Sequence, residues 1–316
     1  MALPEGMTVR AAVPADAVAI CVLLNKVDEI EIGRAEFTVG EIEDELGRAG
    51  VDLTRDSWLL ADAEGELVGY GLVRDPSGGE RIDLDQYLLP DQLDGGQHLF
   101  DLMEARAVEL ARGNGAERAV LHLLLNSEPT VDTGAMRGRG WRTVRRHHVL
   151  TREVDAAKDL RPEPAAGVRL RDCTAEEDRR IAHRLIQQSF AEHFDFKPRS
   201  YQQWLEDIDG DSLDWSLVWV AHLDGAGDVA VLRTRDERGG PAWASNIGVL
   251  PAARGRGLGG HLLRHFFAHY AALGRTKVGL GVDTANATGA PALYRNHGME
   301  LDFAVDTWEL TLPVGN

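Results

Sequence analysis

The sequence predicts an α/β (α+β) chain built as two tandem domains, and three observations carry this. Apolar residues switch repeatedly between a spacing of two and a spacing near 3.6, so strands and helices are interleaved. The order of those elements repeats at an offset of roughly 160 residues, matching Val9 with Arg169, Pro90 with Pro251 and Gly140 with Gly298. The stretch Asn246–Leu263 passes from a β-branched run through Gly255, Gly257, Gly259 and Gly260 into helical apolar spacing.

In the first half, Met7–Val13 alternates as a strand and Pro14-Ala15-Asp16 opens a helix running to about Leu24. A second helix is expected over Thr38–Leu46, ending near Gly47. Ser57–Asp62 and Leu67–Val73 form a hairpin around Glu64-Gly65. Ile82–Leu88 is a further strand, closed by Pro90, and a long helix follows with Leu99, Met103, Ala107 and Leu110 on one face. Ala119–Leu125 is a buried strand; a short helix and the strand Thr143–Leu150 complete the unit. The second half restarts with Val168–Arg171, and Thr174 to Glu177 resembles a capping box for the next helix. Leu217–His222 and Asp228–Arg233 are paired around Gly225–Gly227, and Trp243–Val249 leads into the glycines. The expected domains are residues 1–154 and 167–316, joined by a charged linker at 155–166 that holds Pro162 and Pro164.

At 316 residues the chain is long enough for two cores. A formal charge of −17 argues against nucleic acid and anionic membrane as general partners. No apolar run is long enough for a bilayer and the first residues lack a signal-peptide pattern. Cys21, in an apolar helical run, and Cys173, at a strand end, have no metal-ligand spacing, so no metal is expected. Free thiols point to the cytoplasm, and the oligomeric expectation is a monomer or weak homodimer.

The glycine stretch is a strand, a turn and a helix start. The first N–H groups of a helix lack internal partners and carry its positive dipole end. Glycines let that backbone approach a pyrophosphate, and Arg254 and Arg256 add charge there. No Lys follows the glycines as a Walker motif requires. Gly255, Gly257 and Gly260 fit the dinucleotide spacing, but no acidic residue ends the next strand until Asp283.

Arg254-Gly255-Arg256-Gly257-Leu258-Gly259 resembles the acyl-CoA loop of the GNAT acetyltransferases, Arg/Gln-x-x-Gly-x-Gly/Ala. The later run Leu280–Asp283, Asn286–Ala290 and Leu293–Met299 resembles that family's second signature, a strand, an Asn, a short helix with Leu-Tyr, then a Gly. The tandem arrangement is similar to the mycothiol synthase-like proteins of actinobacteria. The resemblance implies two GNAT domains, each a mixed, mostly antiparallel sheet flanked by helices, with a splayed parallel strand pair. It implies acetyl-CoA as co-substrate, with the backbone of Arg256–Gly260 and Arg254 on the pyrophosphate, and Ile247 and Val249 on the donor strand. Val249 N–H is expected on the acetyl carbonyl, and Asn286 on the pantetheine or nearby backbone, with Thr288 a possible helix cap.

The resemblance gives Tyr294 the general-acid position; a phenol is protonated at neutral pH and can donate to a thiolate. In many relatives the base is a Glu on the strand before the loop. Here that strand, Trp243–Gly248, has no carboxylate. Substitutes are Glu192, His193 and Asp195, in a region that lines the family's acceptor pocket, with Asp283 as an outside candidate. The first half places Leu93-Asp94-Gly95-Gly96 where the second has Arg254-Gly255-Arg256-Gly257, and Met136 where the second has Tyr294. A carboxylate there opposes a phosphate, so the first domain reads as a degenerate copy. The resulting expectation is an N-acetyltransferase acting on a primary amine of a small molecule by direct attack in a ternary complex. Mycothiol synthase itself and a non-catalytic acyl-CoA sensor are the alternatives.

Overall fold

The computed structural model describes every residue except 1–2, 49, 164, 195, 209, 211–212, 237–239, 287 and 316. The chain divides into two compact units, Met1–His147 with Phe303–Asn316, and His148–Asp302.

In the first unit, β1 (Thr8–Arg10), β2 (Ser57–Ala61), β3 (Leu67–Arg74) and β4 (Arg81–Leu88) pair antiparallel in that order. β5 (Arg118–Asn126) joins β4 parallel. The pairing covers only Arg81–Leu84 against Val120–Leu123, after which the two strands part. α1 (Ala17–Glu31) and α2 (Val39–Leu46) bury Ile20, Leu24, Val27, Ile42 and Leu46 against Tyr70 and Leu72 of β3. α2 starts and stops where its sequence signals lie: Thr38 accepts from Glu41 N–H while Glu41 caps Thr38 in return, and Gly47 closes the end. α3 (Leu53–Asp56), a single turn absent from the sequence reading, precedes β2. α4 (Leu93–Gly113) places Leu99, Phe100, Met103 and Ala107 in the core with β4 and β5. α5 (Thr133–Gly138) follows, and β6 (Arg142–Glu153) begins in this unit and ends in the next.

The second unit repeats the order. β7 (Val168–Asp172), β8 (Val218–Leu223), β9 (Gly227–Arg235) and β10 (Ala242–Val249) pair antiparallel, and β11 (Lys277–Asp283) joins β10 parallel. α6 (Glu176–Ser189) and α7 (Tyr201–Asp207) cover one face, and α8 (Leu258–Ala272) the other, through Leu262, Phe266 and Tyr270. α9 (Ala290–Asn296) leads to β12 (Glu300–Pro313).

Three sequence expectations are corrected. The helix at Thr174 has no capping box: Ala175 is its N-cap, because the Thr174 hydroxyl donates to Asp172 at the end of β7. Thr288 does not cap α9; left-handed Gly289, φ 80°, does. Units and sequence halves also differ, because Val305–Pro313 of β12 lies antiparallel along β5 and completes the first unit's sheet.

Both cysteines are buried free thiols, as their apolar neighbours imply. Among the described residues no helix is long and apolar enough to cross a membrane.

Candidate active site

β10 and β11 pair only at Ala242↔Val278, Trp243↔Gly279 and Ala244↔Leu280. At Ser245 the register of β10 against β9 slips by a bulge, which turns the strand and ends its pairing with β11. Beyond the bulge, Leu250 N–H donates to Val229 O at 2.9 Å. In an antiparallel ladder, bonded and non-bonded pairs alternate. Asn246 and Gly248 therefore bond to β9, while the N–H groups of Ile247 and Val249 point to the β11 side, where pairing has stopped.

The turn that follows gives these open donors company. Pro251–Ala253 makes one 3-10 turn, and Arg254 folds back so that its Nε donates to Val249 O at 3.2 Å. Gly255 and Gly257 adopt φ 75° and 76°, the left-handed region that side chains resist. Helix α8 starts at Leu258 without a capping side chain, and its first internal bond runs from His261 N–H to Gly257 O. The N–H groups of Leu258, Gly259 and Gly260 thus lie at the positive helix end without helical partners. Arg254 and Arg256 are exposed and form no ion pair among the described residues. This cradle fits a polyanion.

Gly259 and Gly260 serve a second purpose. A Cβ would stand 3.0 Å from Leu293 Cδ2 at the first and 2.9 Å from His297 Nε2 at the second. Their bareness lets α9 lie against the start of α8, and α9 carries Tyr294. That side chain packs with the core around Ile247 and Val249. Its hydroxyl has no hydrogen-bond partner among the described residues, and burial pushes the phenol up to about 12.

On the other face of β10, Gly248 is crossed closely by Ser189 and Phe190 at the end of α6. The Phe190 ring lies 4.5 Å from that of His193, centroid to centroid. Burial lowers the His193 pKa, with Asp283 acting to raise it and Arg254 to lower it further. His193 is thus near both the glycine turn and the end of β11. Glu192 is exposed, and Asp195 lies outside the described residues. Among the described residues no hydrogen bond joins Asn286 to the cradle; its Oδ1 accepts from Thr288 N–H and hydroxyl. Asp283 likewise turns on its own backbone, accepting from Ala285 N–H.

Arg233 is the residue that sequence reasoning passed over. It stands opposite Asn246 on the face shared by Gly248 and Val231, and its Nε donates to Asn246 Oδ1 at 2.9 Å. It has no carboxylate partner among the described residues, and burial, with Arg235 nearby, lowers its pKa to about 10. A desolvated cation without a counter-charge is costly unless something supplies one. The signal available in the sequence was its parity with the apolar Val231.

The first unit is built differently at the corresponding place. α4 and α8 begin at Leu93 and Leu258, so Asp94-Gly95 align with Gly259-Gly260 and Gly96 with His261, inside the helix and not at the turn where the sequence suggested. Asp94 falls in the first helical turn. A Cβ on Gly95 would meet Leu60 Cδ2 at 2.6 Å, and one on Gly96 would meet Leu88 Cδ2 at 2.5 Å. Gln86 Nε2 donates to Gly96 O, and Met136 is fully buried.

Residues 214–300 match the family model described as an acetyltransferase (GNAT) domain. A GCN5-related N-acetyltransferase from Sphaerobacter thermophilus is 24% identical, with a TM-score of 0.83 over 100% of this chain and 98% of that one. A tandem GNAT protein from the clavulanic acid biosynthesis pathway is 18% identical, with a TM-score of 0.71 over 98% of this chain and 99% of that one. No curated protein matches the chain. The fold is that of the tandem GNAT structures, and the match to the GNAT family model lies within the second unit.

Proposed function

We propose that the second unit is an acetyl-CoA-dependent N-acetyltransferase that acts on a primary amine of a small molecule by direct attack in a ternary complex, and that the first is a degenerate copy. The observation that carries this is the uncapped, glycine-turned start of α8 beside the N–H groups left open where β10 leaves β11.

Acetyl-CoA would supply the acetyl group as a thioester. The N–H groups of Leu258–Gly260, with Arg254 and Arg256, hold its pyrophosphate. Val249 N–H polarises the thioester carbonyl. His193, kept neutral near pH 7 by its lowered pKa, takes the amine proton as the N–C bond forms. Tyr294 Oη gives its proton to the sulfur as the C–S bond breaks. Asn286 is assigned no contact in this scheme beyond holding the Thr288 turn.

Calorimetric titration with acetyl-CoA should give one site per chain. Two sites would return donor binding to the first unit, and none would leave only the fold. Arg233 supports an acceptor that carries an anionic group beside its amine. Arg233→Gln should raise KM for amines bearing a carboxylate by about tenfold or more, the loss of one charged hydrogen bond. Acetyl-CoA affinity and uncharged amines should be unaffected; equal effects on both amine classes would remove Arg233 from recognition.

One observation favours a second reading, an acyl-CoA sensor: β10 has no carboxylate. Thiol release with a broad amine panel separates the two, because a sensor binds the donor and releases none.

A further inference from the structure

In the first unit β4 and β5 pair only as far as Leu84↔Leu123 and then part. Three residues further along each strand, Tyr87 and Asn126 stand on either side of the gap. On the α4 face this stretch of β4 is packed: Leu88 lies against Gly96, and Gln86 Nε2 donates to Gly96 O at 2.9 Å. The face towards α1 carries different chemistry.

Asp28 sits on the buried stripe of α1 with Leu24 and Val27 and is 5% exposed. Its carboxylate forms no hydrogen bond or ion pair among the described residues, yet it is not sealed off as the Tyr70 hydroxyl is. Burial pushes it up to about 7, with Glu31 and Glu36 adding to the effect and Arg34 opposing it. The acids around it are already engaged. Glu31 accepts from Asn126 Nδ2 at 2.7 Å and from Thr130 N–H at 2.6 Å. Arg74 is shared between Asp85, at 2.5 Å, and Glu45, while Arg34 pairs with Glu36. The charge of Asp28 reaches the Tyr87 phenol, which has no hydrogen-bond partner among the described residues. Tyr87 is half-buried, and the Phe37 ring meets it edge-on, with centroids 5.8 Å apart and planes at 89°. Leu124, on the same face of β5 as Asn126, is 59% exposed, so α1 leaves the β5 side of the gap open.

We propose that this gap is a ligand site for a small organic ammonium ion, its N–H donated to Asp28 and its apolar body laid against Tyr87, Phe37 and Leu124. A carboxylate withdrawn from water without a partner is costly until a cation meets it. Aromatic rings attract the same charge, and a charged hydrogen bond fixes its position. The site is opposite in sign to the Arg233 face of the second unit, and it stands independently of what α8 holds at its N-terminus.

The test is an NMR titration of the full chain, observing tyrosine ring signals, with that of Tyr87 assigned by its loss in Tyr87→Leu. The probe is N,N-dimethylbenzylamine, a cation at neutral pH whose tertiary nitrogen yields no stable amide; benzyl alcohol and benzoate are the controls. The probe should shift the Tyr87 signal saturably, benzyl alcohol far less and benzoate not at all. Asp28→Asn should weaken the probe by about tenfold or more, the worth of one charged hydrogen bond, while acetyl-CoA titrates as before. Leu124→Lys, a change at an exposed position, should weaken it likewise by setting a fixed cation at the open side. A Tyr87 signal that the probe leaves unmoved would overturn the site. Unchanged affinity in a folded Asp28→Asn or in Leu124→Lys, or equal binding of benzyl alcohol, would overturn its preference for a cation.

Discussion

Gly257→Asp should abolish measurable acetyl-CoA binding by a folded protein, a loss of at least 100-fold. Two effects add. Gly257 has φ 76°, which costs a residue with a side chain roughly 1–2 kcal/mol. No atom lies within 4 Å of a Cβ there, so the strain is purely of the backbone. The new carboxylate would also stand at the helix start where the pyrophosphate is expected, replacing attraction by repulsion. Gly257→Ala separates the two, since it keeps the strain and adds no charge; it should lose about tenfold. Calorimetry on both variants, with thermal unfolding to confirm the fold, decides the matter. Unchanged affinity in Gly257→Asp would remove the turn from donor binding.

Tyr294→Phe should lower kcat by about 100-fold, the lower range for a positioned general acid, and leave the Kd for acetyl-CoA unchanged. The side chain is buried against apolar neighbours, so removing one unpartnered hydroxyl leaves the packing intact. The pH dependence of kcat at saturating amine carries the sign. His193 must be unprotonated to accept a proton, and its lowered pKa places the rise in rate below the ordinary value of about 6.5. Tyr294 must be protonated, and with its pKa near 12 no alkaline fall belongs to it below pH 10. In His193→Gln the acid limb should vanish with the loss of rate. An acid limb that persists there would assign the base elsewhere, and unchanged kcat in Tyr294→Phe would leave that residue a packing role.

Much of the fold was legible because its signals are local. Thr38 and Gly47 mark both ends of α2, and Gly65 turns the β2–β3 hairpin at φ 86°. The glycine turn was legible for the same reason. What failed was decided by contacts distant in sequence. The Thr174 hydroxyl went to Asp172 instead of the helix. The strand Glu300–Pro313 alternates in its own right, but nothing local says that its partner is β5. Arg233 reads as a solvated strand residue until the structure shows it half-buried without an acid. The helix start at Leu93, which places Gly95 and Gly96 inside α4, shows only once the structure packs Gly95 on Leu60 and Gly96 on Leu88.

The pairing of β5 with β12 sets an order on biosynthesis. When His147 has left the ribosome, the first unit still lacks Phe303–Asn316, and the edge of β5 that Val305–Pro313 will cover is bare. At about 5–20 residues per second, that edge waits on the order of 10–30 s for its strand. Exposed strand edges invite pairing with other chains, so the nascent first half is the stage at which a chaperone or a slow codon would matter most. The same arithmetic warns against expressing residues 1–154 alone: such a fragment would be a sheet permanently missing a strand.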